Sequence, residues 1–201
     1  MNDKIRRIID TEWEMFQNVE NIGGRAGCQD DRETFYIMRL SQYENWSCDM
    51  IEIYSEFLAS CAAEGRNLVT EKYARMMAYT DPHYYSKYLR DRLPSVPAAN
   101  YKMINGIVEQ MIMWEEAMAE KYPRLAGVSR PIRSDADKYG FTSMETYARG
   151  ELETYPAPLL LAYERHIEDL RSRGLSMAEN ILSTMVGLYG YESIEEAENR
   201  G

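Results

Sequence analysis

Six polar side chains fall on helical faces otherwise made of apolar residues: Glu12, Arg39, Gln42, Glu115, Glu151 and His166. Burying any one of them alone costs several kcal/mol as an order of magnitude, so they are expected to meet one another or a ligand. One outcome is a hydrogen-bonded core network with a structural role. The other is an interhelical pocket in which Arg39 pairs bidentately with an anionic group and Gln42 orients it. A desolvated Glu12, Glu115 or Glu151 then moves a proton, because burial raises a carboxyl pKa toward the range a general acid or base needs. Arg25, Gln29, Tyr147 and His166 complete the substrate-binding candidates.

A second concentration of chemistry lies in Gly23-Gly24-Arg25-Ala26-Gly27-Cys28-Gln29-Asp30-Asp31. Its glycines permit close backbone approach, and its amides lead into a helix start that could cradle an anion. Cys28 stands before that helix N-terminus and three residues after Arg25, surroundings that lower a thiol pKa and make it a candidate nucleophile. No histidine is near in sequence to act as its base. The pattern is neither a phosphate loop nor a dinucleotide fingerprint.

Inward glutamates and one histidine on separate helices raise the question of a carboxylate-ligated metal. Such sites use Glu-x-x-His pairs, and neither His83 nor His166 has a glutamate three residues before it. No metal ligand is therefore assigned, and the identity of any cofactor stays open.

The elements that must hold these groups are all helical. Ile5, Ile8, Ile9, Phe16 and Val19 predict a first helix over 3–19, with Glu12 midway between Ile8 and Phe16. Asp30 or Asp31 caps a long helix reaching Ala63, whose stripe is Phe35, Trp46, Met50, Ile53 and Phe57, with Arg39, Gln42 and Tyr43 filling its gap. Asn67 caps a helix over 68–79 with Val69, Tyr73, Met76 and Met77 inward. Asp81-Pro82 starts a short one through Arg92.

A second long helix covers 98–121 and carries Glu115. Pro123 to Gly140 is irregular, and its Arg124, Arg130 and Arg133 suit a lid or rim. Thr142 with Glu145, Ser176 with Glu179 and Ser193 with Glu196 read as capping boxes. The first opens a helix over 143–154 bearing Glu151. Another, over 158–173, carries His166. The expectation is an all-α, single-domain bundle spanning 1–201, with about eight helices, two of them long.

With 201 residues, 45% of them apolar, the chain can bury a core without disulfides. Its formal charge of −10 disfavours nonspecific binding to nucleic acid or to an anionic membrane. No apolar run approaches the ~20 residues that span a bilayer, and the opening Met1-Asn2-Asp3-Lys4 lacks a secretion signal. Cys48 and Cys61, if on one helix, stand ~20 Å apart, too far to bond. Three thiols without a pairing pattern fit a reducing, cytoplasmic setting. Oligomeric state is not legible.

The runs Thr11-Glu12-Trp13-Glu14-Met15-Phe16, Gly23-Gly24-Arg25-Ala26, Cys28-Gln29-Asp30-Asp31, Thr34-Phe35, Met38-Arg39 and Ser41-Gln42 resemble a bacterial family known as domain of unknown function four-one-two-five. Further matching runs are Glu71-Lys72-Tyr73-Ala74-Arg75-Met76-Met77, Thr142-Ser143-Met144-Glu145-Thr146-Tyr147 and Arg149-Gly150-Glu151-Leu152. Gly27 stands where a serine is expected. The resemblance covers nearly the whole chain and supplies no reaction. It implies a bacterial protein whose relatives are sometimes associated with a nucleotidyltransferase-like domain.

Three functions follow as expectations. The first is an enzyme acting on a small anionic metabolite; the reaction could be that of a lyase, hydrolase or transferase. The second is a noncatalytic ligand- or partner-binding module. The third is a carboxylate-ligated metalloenzyme.

Overall fold

The computed structural model describes residues 2–21 and 23–200; Met1, Ile22 and Gly201 lie outside the described residues. Among the described residues eleven α-helices follow one another in chain order, against the eight or so expected: α1 (Asn2–Gln17), α2 (Arg32–Tyr43), α3 (Cys48–Ala63), α4 (Leu68–Thr80), α5 (Pro82–Tyr84), α6 (Ala98–Lys121), α7 (Pro123–Gly127), α8 (Met144–Leu152), α9 (Ala157–Ser172), α10 (Met177–Leu188) and α11 (Ile194–Arg200). Among the described residues there is no strand beyond an isolated Lys138–Phe141 bridge, and no helix is long and apolar enough to cross a membrane. The expected all-α bundle is what forms.

Helix α1 lies against α2, α3 and α4, while α4 packs closely on α8. α6 runs along α8, α9 and α10, and α9 completes the interior against α3. The main core joins Ile5, Ile8 and Ile9 of α1, Met50, Ile51 and Leu58 of α3, Ile104, Ile107 and Ile112 of α6, and Leu159 and Leu160 of α9. A smaller cluster of Tyr122, Leu182, Val186, Ile194 and Ala197 seats the C-terminal helices on the far end of α6.

The stretch from Pro123 to Gly140, expected to be irregular, opens with α7, which starts on Pro123, and holds a 3-10 turn at Ser134–Ala136. Three further features differ from the expectation. The long helix expected from Asp31 to Ala63 is two helices, because the Ser47 hydroxyl accepts the Met50 amide and starts a new one. Trp46, in the break, turns into the core among Tyr43, Tyr54, Tyr155 and Tyr163. Among the described residues only α6, with 24 residues, is long.

The second difference is the cap of α8, which is Ser143, not Thr142; Glu145 accepts the Ser134 amide instead of closing a box. The third is the segment after Pro82, which relaxes into a π-helical turn over Tyr85–Leu89 and a 3-10 turn over Arg90–Arg92.

One close approach positions the site. A Cβ on Gly150 would lie 2.7 Å from Met76 Cγ and 3.1 Å from the Lys72 carbonyl oxygen. Only a residue without a side chain lets α8 come this near α4, and that nearness lets Lys72 reach Glu151.

Candidate functional site

Glu12 is 1% exposed at the centre of the bundle, and its carboxylate is fully engaged. Arg39 of α2 donates to it through Nε at 2.8 Å and also through Nη2, making a bidentate pair. Tyr43 and Tyr54 donate their hydroxyls to Oε1 at 2.7 and 2.6 Å.

The remaining guanidinium nitrogen, Nη1, donates to Gln42 Oε1 at 2.8 Å and to Glu151 Oε1 at 3.1 Å. Glu151 in turn accepts from Tyr155 at 2.7 Å, from Gln42 at 3.3 Å and from Lys72 Nζ at 2.5 Å. Five helices, or the residues closing them, contribute: α1, α2, α3, α4 and α8. Two carboxylates face two cations, so the formal charges cancel.

The electrostatics follow from that pairing. Burial pushes the Glu151 carboxyl up, but Arg39 and Lys72 together outweigh it and hold the group well below the ordinary carboxylate range. Burial works against the Arg39 charge, and Glu12 and Glu151 reverse it, raising the guanidinium further. The hydroxyls of Tyr43, Tyr54 and Tyr155 are raised by burial, which keeps them as protonated donors. The space left among these side chains is about 10 Å³, bounded by Glu12, Arg39, Lys72, Glu151 and Tyr155. That is room for one water.

The other candidates are distributed differently. Gln29 is buried, but it buckles its own turn: its Nε2 donates to the Phe16 and Val19 carbonyls, and its Oε1 accepts from the Ala26 amide and from Asn21. Arg25 is bound to Asp30, Gln17 and the Gln29 carbonyl. Cys28 is exposed on the 3-10 turn Gly27–Asp30, and it is Asp31 that caps α2.

His166 on α9 places Nε2 2.8 Å from the Asn45 carbonyl, pinning the break between α2 and α3. Tyr147 lies beside the network: Lys72 Nζ stands 3.4 Å from its ring centroid, and the Arg130 guanidinium 5.2 Å. Glu115, on α6, has its carboxyl pushed up to about 7 by burial alone. Among the described residues, no hydrogen bond or ion pair joins it to the network.

The structure therefore brings Glu12, Arg39, Gln42 and Glu151 together and leaves Cys28, Arg25, Gln29, Glu115 and His166 outside their hydrogen bonding. It also adds Lys72, Tyr54 and Tyr155. Among the described residues, no group of three or more His, Cys, Asp or Glu side chains is placed to hold a metal ion.

Comparison with known families gives a match over nearly the whole chain. The model of the family described as Protein of unknown function (DUF4125) covers residues 2–199. The chain belongs to that family. Neither the curated proteins nor the solved structures compared with it yield a match.

The DUF4125 match runs from α1 through α11, so every residue of the network lies within it. The family description carries no activity, and the functional reading therefore rests on the geometry.

Proposed function

We propose that the protein is a noncatalytic binding module whose buried charge network holds five parts of the bundle in register. The observation that carries this reading is the completeness of the network. Glu12 accepts from Arg39, Tyr43 and Tyr54; Glu151 accepts from Arg39, Gln42, Lys72 and Tyr155; and about 10 Å³ is left over. An anionic substrate would have to displace a carboxylate from a guanidinium already matched to it. Glu151, held well below the usual carboxylate range, is a poor proton acceptor at neutral pH. A buried polar cluster satisfied at every member specifies one packing of the helices.

What the module binds is then sought at its surface, and a nucleotidyltransferase-like partner protein belongs to the same proposal. The test is titration of small anions, namely phosphate, acetate and glutamate, into the wild type and into Arg39→Lys and Gln42→Ala. The expected result is that neither substitution alters any binding that occurs. An anion that binds the wild type and loses its affinity in both variants, while both remain folded, would restore the substrate-clamp reading.

A further inference from the structure

The connection between α4 and α6, with the first turn of α6, carries a charge opposite to that of the rest of the chain. From Pro82 to Lys102 the sequence places Lys87, Arg90, Arg92 and Lys102 against Asp91, a surplus of three positive charges in a protein with 33 acids and 23 bases. Elsewhere most cations are tied to a carboxylate, as Arg66 is to Glu71 and Arg133 to Glu116. Here Arg90 meets its neighbour Asp91, and among the described residues no ion pair reaches Lys87, Arg92 or Lys102. The other acids around this region are already engaged: Asp81 accepts the Tyr84 amide, Glu145 pairs with Arg149 and Glu153 with Arg75.

The same region is rich in tyrosine. Tyr79 lies in the last turn of α4, Tyr84 in α5, Tyr85 and Tyr88 in the π-helical turn, and Tyr101 in the first turn of α6. The π turn returns its hydrogen bond five residues back, from the Arg90 amide to the Tyr85 carbonyl, a geometry that proteins keep mostly at functional sites. Across it the Tyr84 and Tyr88 rings stand 4.9 Å apart, with Lys87 Nζ 4.9 Å from the centre of the Tyr88 ring. Tyr101 is within electrostatic reach of both Tyr79 and Tyr85, so rings from α4, the connection and α6 share one face. Tyr79, Tyr88 and Tyr101 are 45%, 42% and 44% exposed.

These two features together select the partner. Cations without a carboxylate attract a polyanion, and an acidic peptide would satisfy them while leaving the rings idle. A duplex keeps its bases stacked on one another. A membrane is disfavoured because no exposed leucine, phenylalanine or tryptophan between Tyr79 and Lys102 could enter it. A single strand of nucleic acid uses both features, since its phosphates meet the cations and its unstacked bases have a face for each ring. The acidic remainder of the chain limits the length: the attraction of this face is screened within about 8 Å at physiological salt, and a strand running past it meets repulsion.

We propose that this face binds a short single strand of nucleic acid, with bases stacked on Tyr88 and Tyr101 and phosphates held by Lys87, Arg92 and Lys102. The inference rests on the binding-module reading and supplies its ligand class.

The probe is fluorescein-labelled hexaadenylate, in ribose and deoxyribose forms, titrated with the full chain and followed by anisotropy from about 50 mM salt upward. Binding of either form supports the site, and the tighter one names its source. The logarithm of the affinity should fall against the logarithm of salt with a slope of about −2, at about 0.7 for each of three neutralised phosphates, and Lys87→Gln with Arg92→Gln should flatten that slope to about −0.7. Tyr88→Ala with Tyr101→Ala should weaken binding at least about tenfold. All four side chains are exposed, and melting curves report whether the variants fold. A dodecamer should bind within about fivefold of the hexamer, and Arg39→Lys should change nothing.

No binding of either hexamer, equal binding of a duplex or of polyglutamate, or full affinity without the two tyrosines overturns the single-strand site and leaves the module reading standing. So does a dodecamer that gains more than fivefold, or retention on phosphatidylglycerol vesicles in place of the oligonucleotide. Loss in a folded Arg39→Lys with retention in the tyrosine variant puts the ligand in the network and overturns both. Cleavage of the oligonucleotide, abolished by the tyrosine substitutions, supports the site and overturns the noncatalytic reading alone.

Discussion

Lys72 and Arg75 stand about one turn apart on α4, and their partners Glu151 and Glu153 lie at the end of α8. Lys72 meets Glu151 at 2.5 Å in a cluster with about 10 Å³ to spare; Arg75 meets Glu153 at 3.5 Å beside about 210 Å³. The same pair of helices and the same kinds of charge thus give a closed lock on one side and a loose pair beside an open groove on the other. What differs is the surrounding shell. Arg39, Gln42 and Tyr155 saturate Glu151, whereas a loop of two prolines is what faces Arg75. An ion pair whose neighbours complete its bonding fixes the packing around it; one left partly satisfied does so less.

Breaking the lock should cost most. Glu12→Ala leaves Arg39 and two tyrosine hydroxyls facing an empty space, and a loss of about 3–5 kcal/mol in urea unfolding is expected. Gly150→Ala acts on both regions, since the new methyl group meets Met76 and the Lys72 backbone; it should cost about 1–3 kcal/mol in thermal melts.

Glu115 separates burial from pairing. Its folded-state pKa, raised to about 7, lies above the unfolded carboxyl value, so the native state binds the extra proton and stability falls as pH rises through that interval. Glu115→Gln should therefore stabilise the protein at pH 8 by on the order of 1 kcal/mol and have little effect near pH 4, a difference that paired denaturation curves would reveal.

Glu151 has the opposite sign. Its depressed pKa contributes stability that is complete above the unfolded carboxyl value and is lost as pH falls below it. The gap between wild type and Glu151→Gln should accordingly narrow in acid. The smallest effect belongs to the open side: Glu153→Gln keeps an acceptor beside the buried Arg75 and removes a charge that burial already disfavours, so it should change stability by less than about 1 kcal/mol. A larger loss there would erase the contrast between the two regions.

Much of the lock was legible in the order of residues. Glu12 lies four residues from both Ile8 and Phe16, and no rotation of that helix turns it to solvent. Arg39, Gln42 and Glu151 were found in the same way. Lys72 was missed although it stands four residues from both Leu68 and Met76, because the inward face of α4 was read one residue off, on Val69 and Tyr73. Tyr54 was missed for a related reason. Treating α2 and α3 as continuous fixed the wrong phase for α3, although Ser47 with Asp49 behind it already marked a helix start. The cavity beside Arg75 had no sequence signal, since its walls come from α3, α4, the loop at 94–97 and the start of α9, and only tertiary placement joins them.

The network also sets an order on how the chain matures. Arg39 reaches back 27 residues to Glu12 but forward 112 residues to Glu151. Contacts of that span form slowly, because a long stretch of chain must be gathered before they return any free energy. During synthesis the guanidinium is therefore compensated on one side only until α8 has left the ribosome. A nascent chain stalled within α6 would carry Glu12, Arg39 and Lys72 without Glu151, leaving the network one positive charge in excess among the first four helices.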